Sequence, residues 1–510
     1  MLALLLAAAA SPRHGGVAWR RAATTPPRAR PAILTADARL AELPQLVQLV
    51  EARGGTAKAV RAAAAANTGL GLETRRAVKR GEVLLAVPAS LALSAESALR
   101  SAELGPSLAT FEPMLAEYSF IALQLLQQRF AGDASELAPW LSSSALPADG
   151  FDDLPLLWPE EERAELQAST TLGFGQRLAG AAADFEWLEE NVFSASPMEF
   201  PPFVFTADAF RAALALAFSR AVPLPIKEGA SEVQLALLPL LDLVNHDSSP
   251  TSALKVRAAR GGLFGAGASD AMVELVALED LPEGSPLTRR YGRGEVGAEL
   301  LVDFGFIEKR LPASAMLTFE LDDQNDRNYD DKLDCLERNG LSDLEYWVLS
   351  EEQCAAEGLP TDLLAFLRLK HLNGADCFLL ESIFADSLWS EHLQLPVSEE
   401  NERSALQDAA SAVVRYKEGL AGSLQTDLQI LGEAPEKSRA YMMASVRYAE
   451  RRALEAAARW IEARLLRLET LEYYQERRLN ALGLNPIESD EELEALKAAG
   501  RSYGASEIEW

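Results

Sequence analysis

The residues best suited to chemistry are the dipeptide Asn245-His246 and, further along the chain, Tyr291. The dipeptide closes an apolar run, Leu241-Asp-Leu-Val-Asn-His246, in a chain that has only four histidines. Tyr291 opens a glycine turn, Tyr291-Gly292, at the end of a second extended stretch. Amide, imidazole and phenol groups held at strand ends suit a site that binds a small cofactor and positions a weakly acidic hydroxyl. Each residue also has a plainer reading. A buried histidine needs only a hydrogen-bond partner, and a buried tyrosine hydroxyl usually just finds one. Asp242, His246 and Asp247 could suggest a metal site, but no second His or Cys cluster supports it, so the expectation is no metal.

Such groups must be carried by defined elements. Thr68-Gly-Leu-Gly-Leu72 and Val83-Leu-Leu-Ala-Val-Pro88, with the turn Lys79-Arg-Gly-Glu82 between them, read as buried strands of a small sheet. Residues 112–219 read as largely helical. Leu115, Tyr118, Ile121, Ala122, Leu125 and Leu126 make one helix face. A second helix starts at Trp158-Pro-Glu-Glu-Glu162, where proline fits the first position and the acids suit the helix N-terminus. A third covers Ala207–Arg220, and Ala221–Ser231 reads as a connecting loop. Strand signals return at Leu235–Val244, Val273–Leu278 and Pro286–Tyr291, with a turn at Pro282-Glu-Gly284 and an apolar run at Leu300–Phe306. After a strand at Ala315–Leu321 and an acidic loop at Asp322–Asp331, helices dominate. The spacing of Val446, Ala449, Ala453, Ala457, Ile461, Leu465 and Leu468 predicts one long amphipathic helix over Glu436–Leu482, stopped by Gly483 and Pro486. The organisation is α+β: a small β-domain with a helical insertion, then an all-α domain.

The 510 residues allow two or three domains, and 48% hydrophobic with 24% charged residues is ordinary globular composition. The net charge of −28 repels phosphate backbones, so nucleic acid is not an expected partner. The same field suits a lysine-bearing partner segment, although solubility alone would explain it. Three scattered cysteines give neither a disulfide framework nor metal spacing and point to a reducing compartment. No membrane is expected for the mature protein. The N-terminus differs in kind. Leu2–Ala10 is apolar like a signal h-region, and Ser11–Ala36 has five Arg and no acid, like a transit peptide. Together they suggest a bipartite plastid address; a low-complexity leader is the plainer reading. Residues 1–36 are set apart as the leader and 484–510 as a polar tail.

Read in order, these segments resemble the SET-domain protein methyltransferases of the Rubisco large subunit lysine methyltransferase family. The resemblance spans roughly residues 45–485. It rests on Gly69-Leu-Gly-Leu72, Gly81-Glu82, Val87-Pro88, Ser219-Arg220, Pro239-Leu-Leu-Asp-Leu-Val-Asn-His246, Tyr291-Gly292, Ala298-Glu-Leu300 and Asp303-Phe-Gly-Phe306. Further on come Asp331-Lys-Leu-Asp334, Asn339-Gly340, Phe378-Leu-Leu-Glu381 and Tyr473-Tyr-Gln-Glu-Arg-Arg-Leu479. The resemblance implies a threaded, pseudoknotted SET β-fold over 37–315, with its helical insertion at about 112–230. It implies a helical substrate-binding domain over 316–483. The implied cofactor is S-adenosylmethionine, contacted by Thr68, Gly69, Leu70, Arg220, Asn245 and His246. Arg220, Asp242, Leu254, Tyr291 and Phe304 would line the substrate side, with Tyr291 the catalytic residue.

The implied activity is protein-lysine N-methylation in the chloroplast stroma, on Rubisco large subunit or fructose-bisphosphate aldolase, by a monomer. The alternatives are a protein-histidine methyltransferase and a non-catalytic SET-type binding module. Two departures stand out: Val296-Gly297 replaces a family Ser-Asn or Ala-Asn, and Phe304 stands where the Rubisco enzyme has Tyr. Arg289 and Arg290 also break the apolar pattern before Tyr291 and read as solvent-exposed.

Overall fold

The computed structural model describes residues 43–65, 69–109, 115–141, 154–167, 174–225, 233–258, 271–291, 297–309, 311–322 and 326–483. The leader, the tail, Thr68, Gly292, Val296 and both ends of the expected insertion lie outside them. The chain forms two compact units. One is Met1–Ala315 with Gly419–Arg451; the other is Met316–Glu418 with Arg452–Trp510. Among the described residues no helix is long and apolar enough to cross a membrane.

In the first unit a helix at Leu43–Ala52 precedes strands β1 (Val60–Ala65), β2 (Gly69–Thr74) and β3 (Val83–Pro88). A helical stretch follows, then β4 (Val222–Pro225), β5 (Val233–Ala236), β6 (Asn245–His246), β7 (Ser252–Arg257), β8 (Met272–Ala277) and β9 (Pro286–Arg289). They build three small sheets, β1-β2-β9-β6, β3-β8-β7 and β4-β5. β1 pairs antiparallel with β2 from Val60↔Thr74 to Ala65↔Gly69. This strand is absent from the sequence reading because its alanines carry little strand preference. β6 pairs parallel with β9 over two residues, Asn245↔Thr288 and His246↔Arg289.

The helix Glu117–Ala131 is buried on all sides over Ser119–Gln127, not on one face as its spacing suggested. It packs against the helix Ala207–Arg220 and against Ala95–Arg100. Its Gln124 is satisfied inside: Nε2 donates to the Ser94 carbonyl at 2.7 Å and Oε1 accepts from Ser97 at 2.8 Å. Each fully buried Leu or Ile there is worth about 1.5–3 kcal/mol. Ala207–Arg220 forms as expected. Thr206 caps it by accepting from the Ala209 N–H at 3.1 Å, and Pro223 forbids its continuation. Its last residue, Arg220, is thereby placed at a fixed point.

The run Leu235–Val244 is not one strand. β5 ends at Ala236, Pro239 offers no N–H, and Leu240 takes φ 66, ψ −40 before a 3-10 turn at Leu241–Leu243. Among the described residues Leu240 is the non-glycine position with positive φ. An apolar run without a period fits a buried turn as well as a buried strand, and here the proline decides. The run Leu300–Phe306 is a helix, Gly297–Phe304, ended by Gly305 at φ 76.

In the second unit β10 (Ser314–Glu320), which starts at the boundary, pairs with β11 (Leu344–Ser350), and helices make up most of the rest. β11 was not foreseen. The long helix runs only over Arg439–Leu465, with its residues up to Arg451 belonging to the first unit. After a 3-10 turn at Leu468–Thr470 a new helix, Tyr474–Leu482, begins. Glu476 accepts from the Tyr473 N–H at 2.9 Å, and the Tyr474 N–H goes to the Val397 carbonyl at 3.0 Å. Periodicity cannot reveal a break made by such tertiary partners.

Leu240→Gly sets two effects against each other. Relief of the positive φ is worth about 1–2 kcal/mol, and loss of a buried leucine side chain costs about 2–5 kcal/mol. Urea unfolding of the variant should show a net loss of stability; a rise would mean that backbone strain dominates this turn.

Candidate active site

The two-residue β6–β9 pairing brings the sequence-selected groups together. The Tyr291 N–H donates to His246 Nδ1 at 2.9 Å, and the Tyr291 hydroxyl donates to the Val244 carbonyl at 2.7 Å. Tyr291 is therefore tied to the segment at its backbone and again at its hydroxyl. An imidazole Nδ1 that accepts carries no proton, so the neutral tautomer has its hydrogen on Nε2. That nitrogen lies 2.9 Å from Glu308 Oε1. Both ring nitrogens of His246 are thus occupied by the protein. Asn245 Nδ2 donates to the Leu70 carbonyl at 3.2 Å, tying β6 to β2 beside Gly69.

Gly305 shapes the aromatic wall. The Gly305 and Phe306 N–H groups return to the Leu301 and Leu300 carbonyls at 2.9 and 3.5 Å, a reversal that left-handed backbone permits. Phe304 and Phe306 therefore both turn toward the tyrosine, with ring centroids 4.4 and 6.3 Å from that of Tyr291. Phe306 also lies 5.5 Å from His246. Such pairs add about 0.5–1.5 kcal/mol each beyond burial. Burial raises the Tyr291 phenol above its ordinary pKa, against the pull of Arg289 and Arg220, so the hydroxyl stays protonated near neutrality.

The polar end of the site is a charge pair on the far side of Val244. Arg220 Nη1 reaches Asp242 Oδ2 at 3.1 Å and the Asp242 carbonyl at 3.2 Å. Trp140, wholly buried, donates Nε1 to the same Oδ2 at 3.3 Å. Asp242 Oδ1 is buried with no hydrogen-bond partner. Burial raises this carboxyl above the ordinary aspartate range; Arg220 and Trp140 oppose the rise without cancelling it.

Gly69, Leu70, Arg220, Asp242, Asn245, His246, Tyr291 and Phe304 all belong to this part of the first unit. Leu254 sits on β7, partly buried against the apolar core, in the β3-β8-β7 sheet instead of the sheet whose strand β9 leads to Tyr291. Arg290 is exposed, but Arg289 is not: it is buried, its guanidinium 4.2 Å from the Tyr291 ring centroid. Arg289 is thus not solvent-exposed, contrary to what its charge suggests. Strand alternation was the available signal, since β9 buries Leu287 and hence also the residue two further on. Trp140 and Glu308 were also missed, and no local pattern marks either. Among the described residues no group of His, Cys, Asp and Glu is arranged to hold a metal ion.

The family described as Rubisco LSMT substrate-binding matches residues 323–454. The ribulose-1,5 bisphosphate carboxylase/oxygenase large subunit N-methyltransferase, chloroplastic, of Nicotiana tabacum is 32% identical over 424 residues, 82% of this chain and 80% of that protein. The [fructose-bisphosphate aldolase]-lysine N-methyltransferase, chloroplastic, of Arabidopsis thaliana is 31% identical over 436 residues, 84% of each. The actin-histidine N-methyltransferase of Homo sapiens is 28% identical over 410 residues, 77% of this chain and 63% of that protein. The crystal structure of the SET domain of LSMT bound to lysine and AdoHcy superposes with TM-score 0.73 at 28% identity, covering 90% of this chain and 99% of that one. Rubisco LSMT bound to AdoMet gives 0.70 at 28% identity, covering 89% and 99%.

Asp242 carries a pH signature. A carboxyl whose folded pKa is raised contributes stability that is fully present below its unfolded pKa and is lost as pH rises through the folded value. Asp242→Asn removes that dependence. The stability of the wild type relative to the variant, from urea midpoints between about pH 4 and pH 8, should therefore be greatest in acid and decline as pH rises. A difference that grows with pH would show that Arg220 keeps the carboxyl ionised.

Proposed function

The chain belongs to the Rubisco large-subunit methyltransferase family of SET-domain proteins, and from that premise we propose what its site does and how. It is an S-adenosylmethionine-dependent protein-lysine N-methyltransferase of SET β-fold acting on a plastid protein, either Rubisco large subunit or fructose-bisphosphate aldolase. Its work is in the stroma, reached through the leader 1–36, and its active form is a monomer. Residues 37–315 act as the SET domain with its insertion, and 316–483 bind the protein substrate; the family match over 323–454 supports the second assignment.

The residues suit the cofactor. A guanidinium at Arg220 matches an amino-acid carboxylate. The partnerless, buried Asp242 Oδ1 matches an incoming N–H donor. Gly69 and Leu70 present backbone that a ligand can approach closely. Asn245 and His246 complete the cofactor side, with Thr68 from the segment before β2. Bound there, S-adenosylmethionine supplies an electrophilic methyl group on a sulfonium.

The remaining chemistry belongs to the chain. A lysine amine has a free pKa of about 10.4 and must be neutral to attack. The wall of Tyr291, Phe304 and Phe306 strips water from it, which disfavours the ammonium form. The observation that carries the reading is the Tyr291 hydroxyl, whose own hydrogen is committed to Val244. Its oxygen lone pairs are left to accept from the amine, so Tyr291 orients the nucleophile and does not act as a base. The departing proton leaves to water before attack. Holding two reactants in line then supplies much of the acceleration. Phe304, lacking a hydroxyl, leaves the amine one anchor fewer.

Purified protein incubated with methyl-labelled cofactor and undermethylated plastid stroma should place label on a lysine of Rubisco large subunit or aldolase, located by mass spectrometry. Label on histidine alone would transfer the assignment to histidine methylation. Cofactor binding with no labelled protein would favour a binding module.

A further inference from the structure

Arg289 is a buried cation that the proposed chemistry has not used. It ends β9 with its side chain on the inward face and 9% of its surface exposed. Its guanidinium carbon lies 4.2 Å from the centroid of the Tyr291 ring, and Nε has no hydrogen-bond partner. Among the described residues no carboxylate pairs with it: Glu308 is taken by His246 and Asp242 by Arg220. A buried, unpaired guanidinium is costly, and one aromatic face returns only part of that cost. The backbone at this position is committed as well, since the Arg289 carbonyl accepts from the Asp247 N–H at 3.1 Å and the residue is in register with His246. The point from which the side chain reaches the ring is therefore fixed by the crossing.

We propose that Arg289 is a positioning residue for methyl transfer: stacked on Tyr291, it fixes the phenol ring and sets a permanent positive charge beside the path of the incoming lysine, favouring the neutral, nucleophilic amine. This rests on the lysine methyltransferase reading above. A like charge within about 4–6 Å disfavours protonation of an amine. The charged or titratable groups facing the ring from neighbouring elements are Arg220 on the helix before β4, Asp242 on the 3-10 turn, His246 on β6 and Glu308 after the aromatic wall. The two carboxylates each have a partner, and of these groups Asp242 raises the phenol while Arg220, like Arg289, lowers it. In keeping with this, Arg289 pulls the Tyr291 phenol downward against the effect of burial.

Arg289→Met keeps length and apolar packing but removes the charge, and Arg289→Lys keeps the charge without the planar stack. The pH profile of kcat/KM for lysine methylation should move alkaline by roughly one unit in Arg289→Met, with about tenfold lower activity near neutrality that recovers at high pH. Arg289→Lys should retain the wild-type midpoint. A second readout needs no turnover. Phenolate absorbance of each protein, minus that of the same protein carrying Tyr291→Phe, isolates the Tyr291 titration, which should move to higher pH in Arg289→Met. An unmoved phenol titration, or a pH profile that keeps its midpoint while activity falls equally in both variants, overturns the proposal and leaves Arg289 a packing residue. If wild type labels no lysine, the functional reading fails instead, and the phenol titration still decides the contact.

Discussion

The crossing of two backbone segments at Tyr291 is the constraint on which the site depends. One N–H and one hydroxyl of a single residue are tied to His246 and to the carbonyl of Val244. The parallel ladder beneath them is only two residues long. So short a pairing is weak alone, and it is held by what surrounds it. Asn245 anchors to β2, the Leu240 turn fixes the entry of the segment, and the wall of Phe304 and Phe306 on either side of Gly305 closes over the ring. Within the first unit, larger elements place the groups around this crossing. The Ala207–Arg220 helix, for example, ends where its arginine meets Asp242.

Electrostatics then divides the site into two parts. Around Arg220 and Asp242 a charge pair is buried with one carboxylate oxygen to spare, which suits a zwitterionic ligand. Around Tyr291 the protein presents aromatic faces, a committed hydroxyl and a cation, so that burial and like charge together disfavour an ammonium ion there. A lysine would enter the second part by giving up its proton. The histidine, by contrast, has no free nitrogen with which to move one. The overall acidity of the chain, −28, acts at longer range and favours encounter with a basic segment.

Much of this was legible in the residues. Asn245, His246 and Tyr291 stood out by type and position, and the ordered motifs tied them to a family with a known arrangement. What was not legible has physical causes. β1 is written in alanine, which is silent about strands. The Leu235–Val244 run is buried on every side, so its hydrophobicity hid a turn. The break before Tyr474 is made by Val397, far off in sequence. The charge of Arg289 suggests exposure, but the pleat of β9 points it inward whatever its type. Trp140 and Glu308 meet the site only through the fold.

The central claim is that Tyr291 acts through its hydroxyl oxygen on the lysine amine, not by holding the cofactor. Single-turnover methyl transfer by Tyr291→Phe, run beside calorimetric titration of the cofactor, tests it most directly. The account predicts a rate lower by about a hundredfold or more with a cofactor Kd within about threefold of wild type. A variant that transfers at the wild-type rate, or that loses rate only in proportion to lost cofactor affinity, would contradict it.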